Sequence, residues 1–374
     1  MKKVLMVVVA VIIIVLATIA HNEITINMQV HNSEFFLVRE IHSLIFEKQY
    51  DAALKKSNEA LKKYPNSVEI LSVRAKVYEN LKNYSKALDD YNLLLSMKDD
   101  RHIDLSRVYL NMSYVYSDKK EYQKALNILD KAIELEPNHC TLYFRKGTIK
   151  KEMSDYQGAI KELTKAIACN PYSGIYYKQR ENVYLKLNDY EHSKLDGAKA
   201  DELQELSKDM HNLTMLQLND KNDEAMAECN KLMEKYPTHP ELIEIKARIY
   251  QKLKDYDTAL KYYNELENNA NISKSEIYKD KAFIYHMKGD NKTALNLINK
   301  AIEADKTNDD YLYGLRGSIK RSIKDYQGSI EDYTSAIKYA PYNAMHYADR
   351  ATVFLELNDD KKYNADMKKY NSLK

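Results

Sequence analysis

The sequence predicts an all-α fold, an α-solenoid of about ten helix-turn-helix units. Small residues recur along the chain at spacings of 32 to 38 residues, most often 34, and such a period is the signature of a repeat array. Only 8 glycines and 6 prolines occur in 374 residues, too few for a protein rich in sheets or loops. Hydrophobic residues make up 44% of the chain and charged residues 30%, a composition that suits amphipathic helices with one solvent-exposed face.

Residues 140–173 show the repeating unit. They contain a helix, a turn, a second helix and a closing proline, Pro171. Apolar and small residues mark the two helices at Tyr143, Gly147, Tyr156, Ala159, Leu163, Ala166 and Ile167. This pattern resembles the tetratricopeptide repeat, whose consensus runs aromatic, Leu-Gly, Tyr, Ala, an aromatic or apolar residue, Ala and Pro. The resemblance covers residues 34–374, and it implies a right-handed superhelix in which each unit covers the apolar face of its neighbour.

Ten units can be aligned on the residue that opens each second helix. These positions are Ala53, Ala87, Ala125, Ala159, Ser193, Ala225, Ala259, Ala294, Ser329 and Tyr363. Longer segments also recur about 170 residues apart, for example 74–88 with 246–260. The sequence therefore predicts two duplicated five-repeat blocks, 34–205 and 206–374. Each block ends in a polar second helix, as the terminal units of solenoids do, and we expect a weaker joint near residues 200–208.

An uncharged run, residues 4–20, follows Lys2 and Lys3 at the N-terminus. Its 17 residues reach the lower limit for a membrane-spanning helix, and they also fit a signal peptide that is cleaved near Ala20. We therefore predict that residues 1–20 are a hydrophobic helix that is either a membrane anchor or a signal, followed by a tether, 21–33. The lysines stay in the cytoplasm under the positive-inside rule, so the repeats are expected outside it. The alternative is a secreted or periplasmic protein.

Several classes of function lack support in the sequence. The net charge is only +2 and no basic stripe occurs, so nucleic-acid binding is not expected. No glycine-rich phosphate loop and no metal-binding spacing of histidines is present, so we expect no catalytic residues, no metal, no cofactor and no small-molecule substrate. The 32 tyrosines lie mostly at repeat positions, and we interpret them as packing residues rather than as an aromatic ladder for sugars or bases.

The chain contains three cysteines, Cys140, Cys169 and Cys229. Cys140 opens the first helix of unit four and Cys169 follows its second helix. Antiparallel helices bring these two ends together, so a disulfide is geometrically allowed. The odd number of cysteines favours the alternative of unrelated thiols.

Partner binding is the function that the family resemblance implies. Tetratricopeptide proteins usually bind an extended peptide or a partner helix in a concave groove lined by first helices. The matching positions here are Arg107, Leu110, Tyr114, Phe144, Thr148, Lys151, Lys178, Asn182, Lys279, Phe283, His286, Tyr311 and Arg321. The consensus requires no aromatic residue at Tyr114, Phe144 or Phe283, so these are either peptide anchors or side chains that neighbouring helices cover.

A clamp for two carboxylates occurs in the chaperone-binding members of this family, and only half of it is present here. Lys178 and Asn182 occupy its first slots, whereas the following slots hold His211, Glu241 and Ile245. Docking of an acidic chaperone tail is therefore not expected. The sequence predicts a non-catalytic interaction scaffold, tethered to a membrane through residues 4–20, whose ligand is a protein or peptide. The alternatives are a soluble exported adaptor and a non-catalytic subunit of an envelope enzyme or secretion complex.

Overall fold

A computed structural model describes residues 34, 36–97, 103–267, 269, 272–305 and 309–374. Its regular secondary structure, within these residues, is entirely helical. The helices are α1 (36–46), α2 (Tyr50–Lys63), α3 (Val68–Asn80), α4 (Tyr84–Ser96), α5 (Leu105–Asp118), α6 (Tyr122–Leu135), α7 (Cys140–Glu152), α8 (Tyr156–Cys169), α9 (Gly174–Lys186), α10 (Tyr190–Leu218), α11 (Asn222–Lys235), α12 (Pro240–Lys252), α13 (Tyr256–Leu266), α14 (Lys274–Met287), α15 (Asn291–Ala304), α16 (Asp310–Ser322), α17 (Tyr326–Tyr339), α18 (Ala344–Glu356) and α19 (Asp360–Leu373). The predicted all-α class is confirmed.

The predicted N-terminal hydrophobic helix and tether, residues 1–20 and 21–33, lie outside the described residues. Among the residues that are described, no helix is both long enough and apolar enough to cross a membrane.

Ten repeats are present, and each has the same left-handed turn between its two helices. The turn residue has a φ between +55° and +83° in every case. These residues are Lys48, Lys82, Lys120, Ser154, Asn188, Asp220, Lys254, Gly289, Lys324 and Asn358. Each lies five positions before one of the aligned small residues, so the predicted repeat register is confirmed.

Glycine at these turns is expected to stabilise the protein. The left-handed conformation costs a side-chain-bearing residue about 1–2 kcal/mol, whereas the extra freedom of glycine in the unfolded chain costs about 0.4–1 kcal/mol. Lys82→Gly should therefore raise the free energy of unfolding by roughly 0.5–1 kcal/mol, measured by urea titration with circular dichroism. Lys86→Gly, within α4, is the control and should lose about 1 kcal/mol. A Lys82→Gly variant no more stable than the parent would contradict this account of the turn.

The aligned small residues lie in the core. All nine that are Ala or Ser are buried, from 0% to 5% exposed, because the first helix of each pair packs directly on the second. Gly147 shows how close this approach is: a Cβ at that position would lie 2.7 Å from Cγ of Leu163. Tyr363, in the final repeat, is only half-buried.

One helix, α10, belongs to two repeats, so ten repeats yield nineteen helices in the described part of the chain. It supplies the second helix of repeat five and the first helix of repeat six, and it runs for 29 residues. Residues 200–208, where a weaker joint is predicted, lie inside this continuous helix. The segment contains no proline, and nothing in it removes a backbone donor or ends the helix.

The chain divides into two compact units. Of the described residues, unit 1 comprises those up to Met97 together with Ile330–Lys374, and unit 2 comprises those between Met97 and Ile330. Within unit 1 the ring of Phe36 lies edge-on against Tyr342, with ring centroids 4.8 Å apart. All of the predicted partner-binding residues lie in unit 2.

Candidate partner-binding site

The first helices of repeats three, four and five (α5, α7 and α9) lie side by side in unit 2. The guanidinium of Arg145 on α7 donates to the carbonyl oxygen of Ser113 on α5 at 3.4 Å. Phe144 stacks on Tyr176 of α9 with centroids 5.0 Å apart. Gln179 of α9 donates to the hydroxyl of Thr148 on α7 at 3.2 Å. These contacts join the three helices into one surface, and we call it the first-helix face.

The predicted binding residues of the first-helix face divide into two groups. The exposed group consists of Arg107, Tyr114, Lys178 and Asn182. The half-buried group consists of Leu110, Phe144, Thr148 and Lys151. Of the two aromatic residues singled out from sequence here, Tyr114 is 38% exposed, whereas Phe144 packs on Tyr176. Phe144 is therefore covered by a neighbouring helix, which is the second of the two alternatives given above for this residue.

In repeats eight and nine the predicted binding residues mostly make contacts within the protein. Lys279 pairs with Glu276 at 2.6 Å, and Phe283 packs into the cores on both sides of α14. His286 contacts the Asn291 side chain at 2.7 Å. Tyr311 is 48% exposed, and Arg321 is half-buried. Phe283, like Phe144, is a packing residue.

Tyr114 covers a buried positive charge. The guanidinium of Arg145 lies 4.1 Å from the centroid of the Tyr114 ring, a distance typical of cation–π contacts. Arg145 is 7% exposed, and its Nε has no hydrogen-bond partner. Burial lowers the pKa of Arg145 below its usual value, because desolvation disfavours the charged form. The first-helix face thus combines an exposed aromatic ring with positive charge.

Buried Arg–Asp pairs tie repeats together, and sequence analysis missed them. In repeat five, Arg180 donates two hydrogen bonds to Asp196, at 2.7 and 2.8 Å, and a third to Thr164 of the preceding repeat at 2.9 Å. The same arrangement occurs twice in unit 1. Arg74 donates two hydrogen bonds to Asp90 and one to Asn58 of the preceding repeat. Arg350 likewise donates two to Asp366 and one to Thr334. In all three cases the aspartate lies 16 residues after the arginine and the second partner lies 16 residues before it. This fixed spacing is a signal in the sequence by which the pairs could have been found.

Charged side chains also cluster between α12 and α14. Arg248 donates to Glu244 at 2.5 Å, and its Nε lies 3.7 Å from Asp280. Burial raises the pKa of both carboxyl groups above their usual values. The residues that the structure describes include no group of three or more His, Cys, Asp or Glu arranged to hold a metal ion.

Cys140 and Cys169 form a disulfide across the base of repeat four, with their Cα atoms 5.4 Å apart. The expectation that unrelated thiols were favoured is therefore wrong. The odd cysteine count was misleading because Cys229 is fully buried in a separate core. Burial raises the pKa of the Cys229 thiol to about 11, so this third cysteine is an inert packing residue.

A cavity of about 250 Å³ lies beside α10. One stripe of α10 lines it with Leu203, Leu206, Ser207 and Met210, which are spaced so that they share a helix face. The other walls come from Asn170, Tyr172, His239, Pro240, Glu241 and Ile272. A second depression of about 550 Å³ shares Tyr172, Leu203 and Ser207 and continues to Ile175 and Lys178. The cavity therefore adjoins the first-helix face at α9.

His239 is the unusual residue of this cavity. It is 6% exposed, and its Nδ1 has no hydrogen-bond partner. Its ring centroid lies 4.2 Å from that of Tyr172. Burial lowers the pKa of His239 to about 4, so the imidazole is neutral at physiological pH. Sequence analysis named neither this residue nor the cavity.

Comparisons with known proteins agree with the repeat architecture. A tetratricopeptide repeat model matches residues 106–139, 141–172, 241–268 and 311–343, and a second tetratricopeptide repeat model matches 39–101. Together they cover just over half of the chain.

Two curated proteins are similar to parts of the chain. The TPR repeat-containing protein MJ1428 of Methanocaldococcus jannaschii is 25% identical over 322 residues, which cover 80% of this chain and 54% of that protein. The photosystem I assembly protein Ycf3 of Acaryochloris marina is 31% identical over 67 residues, which cover 18% of this chain and 40% of that protein. The chain thus spans about half or less of the length of these relatives.

Solved structures with similarity to the chain include a crystal structure of MamA. It is 21% identical, with a TM-score of 0.38, and the match covers 44% of this chain and 95% of that one. A tetratricopeptide repeat protein from Parabacteroides merdae is 15% identical, with a TM-score of 0.33, over 87% of this chain and 99% of that one.

Proposed function

Because the chain belongs to the tetratricopeptide repeat family, we propose that it is a non-catalytic scaffold that binds a segment of a partner protein. The binding surface is the first-helix face of repeats three to five. This proposal rests on the exposed ring of Tyr114 over the buried guanidinium of Arg145. Aromatic and arginine side chains are the residues that most often dominate protein interfaces.

Other exposed side chains of the first-helix face support the same proposal. Arg107, Lys178 and Asn182 are exposed, and Lys178 makes only a local ion pair with Glu181 at 2.6 Å. The corresponding face in repeats eight and nine is less available, because the Lys279 side chain is only 15% exposed and His286 is half-buried against Asn291. A polar or acidic extended segment that presents one apolar anchor therefore suits repeats three to five.

The disulfide supports a location of the repeats outside the cytoplasm. Stable disulfides persist in oxidising compartments and are rare in reducing ones, and Cys140 and Cys169 are bonded. Export through the uncharged run of residues 4–20 fits this location, either with the run retained as a membrane tether or with cleavage near Ala20. As a second candidate, the scaffold is a non-catalytic subunit of an envelope complex. The similarity to Ycf3, a photosystem I assembly protein, favours that alternative.

Peptide selection tests the proposed binding face. We expect the full-length chain in detergent micelles to enrich specific sequences from a random twelve-residue display library. A Tyr114→Ala/Lys178→Glu variant should bind the enriched peptides at least about tenfold more weakly, because it removes an anchor and reverses a charge.

The matched control is Lys231→Glu on the second helix α11, whose side chain is 72% exposed. It should bind the selected peptides like the parent chain. Enrichment of no peptide, or equal binding by the face variant and the control, would refute the proposed binding face.

A further inference from the structure

We propose that the cavity beside α10 is a pocket for a basic side chain, arginine or lysine, of the partner. This inference rests on the proposed function, since it assigns a specificity to a pocket that adjoins the proposed binding face. Pockets for whole small molecules usually measure about 300–1,000 Å³. At about 250 Å³ the cavity suits one long side chain.

The walls of the cavity match the two parts of such a side chain. Leu203, Leu206 and Met210 form an apolar surface along which the methylene stem of arginine or lysine packs. The ring of Tyr172, at the junction with the second depression, offers an aromatic surface to the charged head.

The charge of the cavity selects a cation. Glu241 is the acidic residue among the walls of the cavity, and none of the lining residues is a lysine or an arginine. Its side chain is exposed. In the described part of the chain, no basic group comes within ion-pair distance of its carboxylate. Glu241 lies in the first turn of α12, where the helix dipole offsets about half of an elementary charge. The cavity therefore remains net negative and disfavours an acidic ligand.

Two small probes that differ in charge test the pocket. Dissociation constants of N-acetylarginine N-methylamide and of its neutral isostere N-acetylcitrulline N-methylamide are measured by saturation-transfer NMR on the full-length chain in micelles. We expect the arginine probe to bind at least about fivefold more tightly. Glu241→Gln should weaken the arginine probe by about fivefold and leave the citrulline probe unchanged.

Two further variants control for charge and for shape. Glu205→Gln removes a 70% exposed carboxylate from the same helix α10 and should alter neither constant. Ser207→Trp, at an exposed position shared by both depressions, should fill the cavity and abolish binding of the arginine probe. Equal constants for the two probes, no binding of the arginine probe, or an arginine constant unaffected by Glu241→Gln would each overturn the proposal.

The peptides selected on the first-helix face separate this inference from the proposed function. If the parent chain binds those peptides but does not discriminate arginine from citrulline, the pocket assignment fails and the scaffold proposal stands. If the arginine probe binds with the expected charge dependence but no peptide is ever enriched, the proposed binding face fails.

Discussion

Replacing Arg180 with alanine is expected to lower the free energy of unfolding by about 3–5 kcal/mol. The substitution removes both hydrogen bonds that Asp196 receives from the guanidinium, and the hydrogen bond to Thr164 of the neighbouring repeat. The Asp196 side chain is only 8% exposed, so its carboxylate remains buried without its cation. The measurement is the urea midpoint of unfolding, followed by circular dichroism.

Two controls separate the buried pair from an ordinary surface charge. Lys178→Ala removes an ion pair on the same helix from a side chain that is 56% exposed, and it should destabilise the protein far less than Arg180→Ala, because exposed ion pairs contribute little. The double variant Arg180→Met/Asp196→Leu replaces the pair with apolar side chains and should recover most of the loss. A loss for Arg180→Ala no larger than that for Lys178→Ala would rule out this role of the pair.

Loss of the disulfide is expected to cost about 3–4 kcal/mol, because Cys140 and Cys169 are 29 residues apart and their bond restricts the unfolded chain. Dithiothreitol should lower the urea midpoint of the parent chain. It should leave a Cys140→Ser/Cys169→Ser variant unchanged, and the variant should match the reduced parent.

Alkylation gives an independent test of the disulfide. In native, unreduced protein no cysteine should react with iodoacetamide, because Cys140 and Cys169 are bonded and burial holds the pKa of Cys229 at about 11. Unfolding without reductant should expose one thiol, and unfolding with reductant should expose three. Two reactive thiols in the native, unreduced state would show that the bond is absent.

The helical period, the ten repeats and their register follow from the sequence because they depend on local spacing. Two helices of a pair can approach closely only where one of them carries a small residue, so such a residue recurs about every 34 positions. The aligned Ala and Ser residues from Ala53 to Ser329 are buried at these contacts. Tyr114 was named from its position in the family's binding groove, and the structure shows that its side chain is 38% exposed.

The continuity of α10 through residues 200–208 was not recognised from the sequence, because the polar composition of this segment drew attention to a joint between the blocks. No proline interrupts these residues, and the helix continues through both repeats. Phe144 and Phe283 could not be assigned from their slots alone, because whether they are exposed depends on which residue of the adjacent helix lies opposite.

The sequence by itself determined the fold class, the repeat register and the family, because these depend on periodic contacts within and between neighbouring helices. Only the tertiary structure decided the Cys140–Cys169 bond, the Arg180–Asp196 pair and the cavity at His239. Each of these depends on distances between residues that are from 16 to about 100 positions apart in the sequence, brought together across helix pairs. Such distances are set by the packing of whole helices and not by any local pattern of residues.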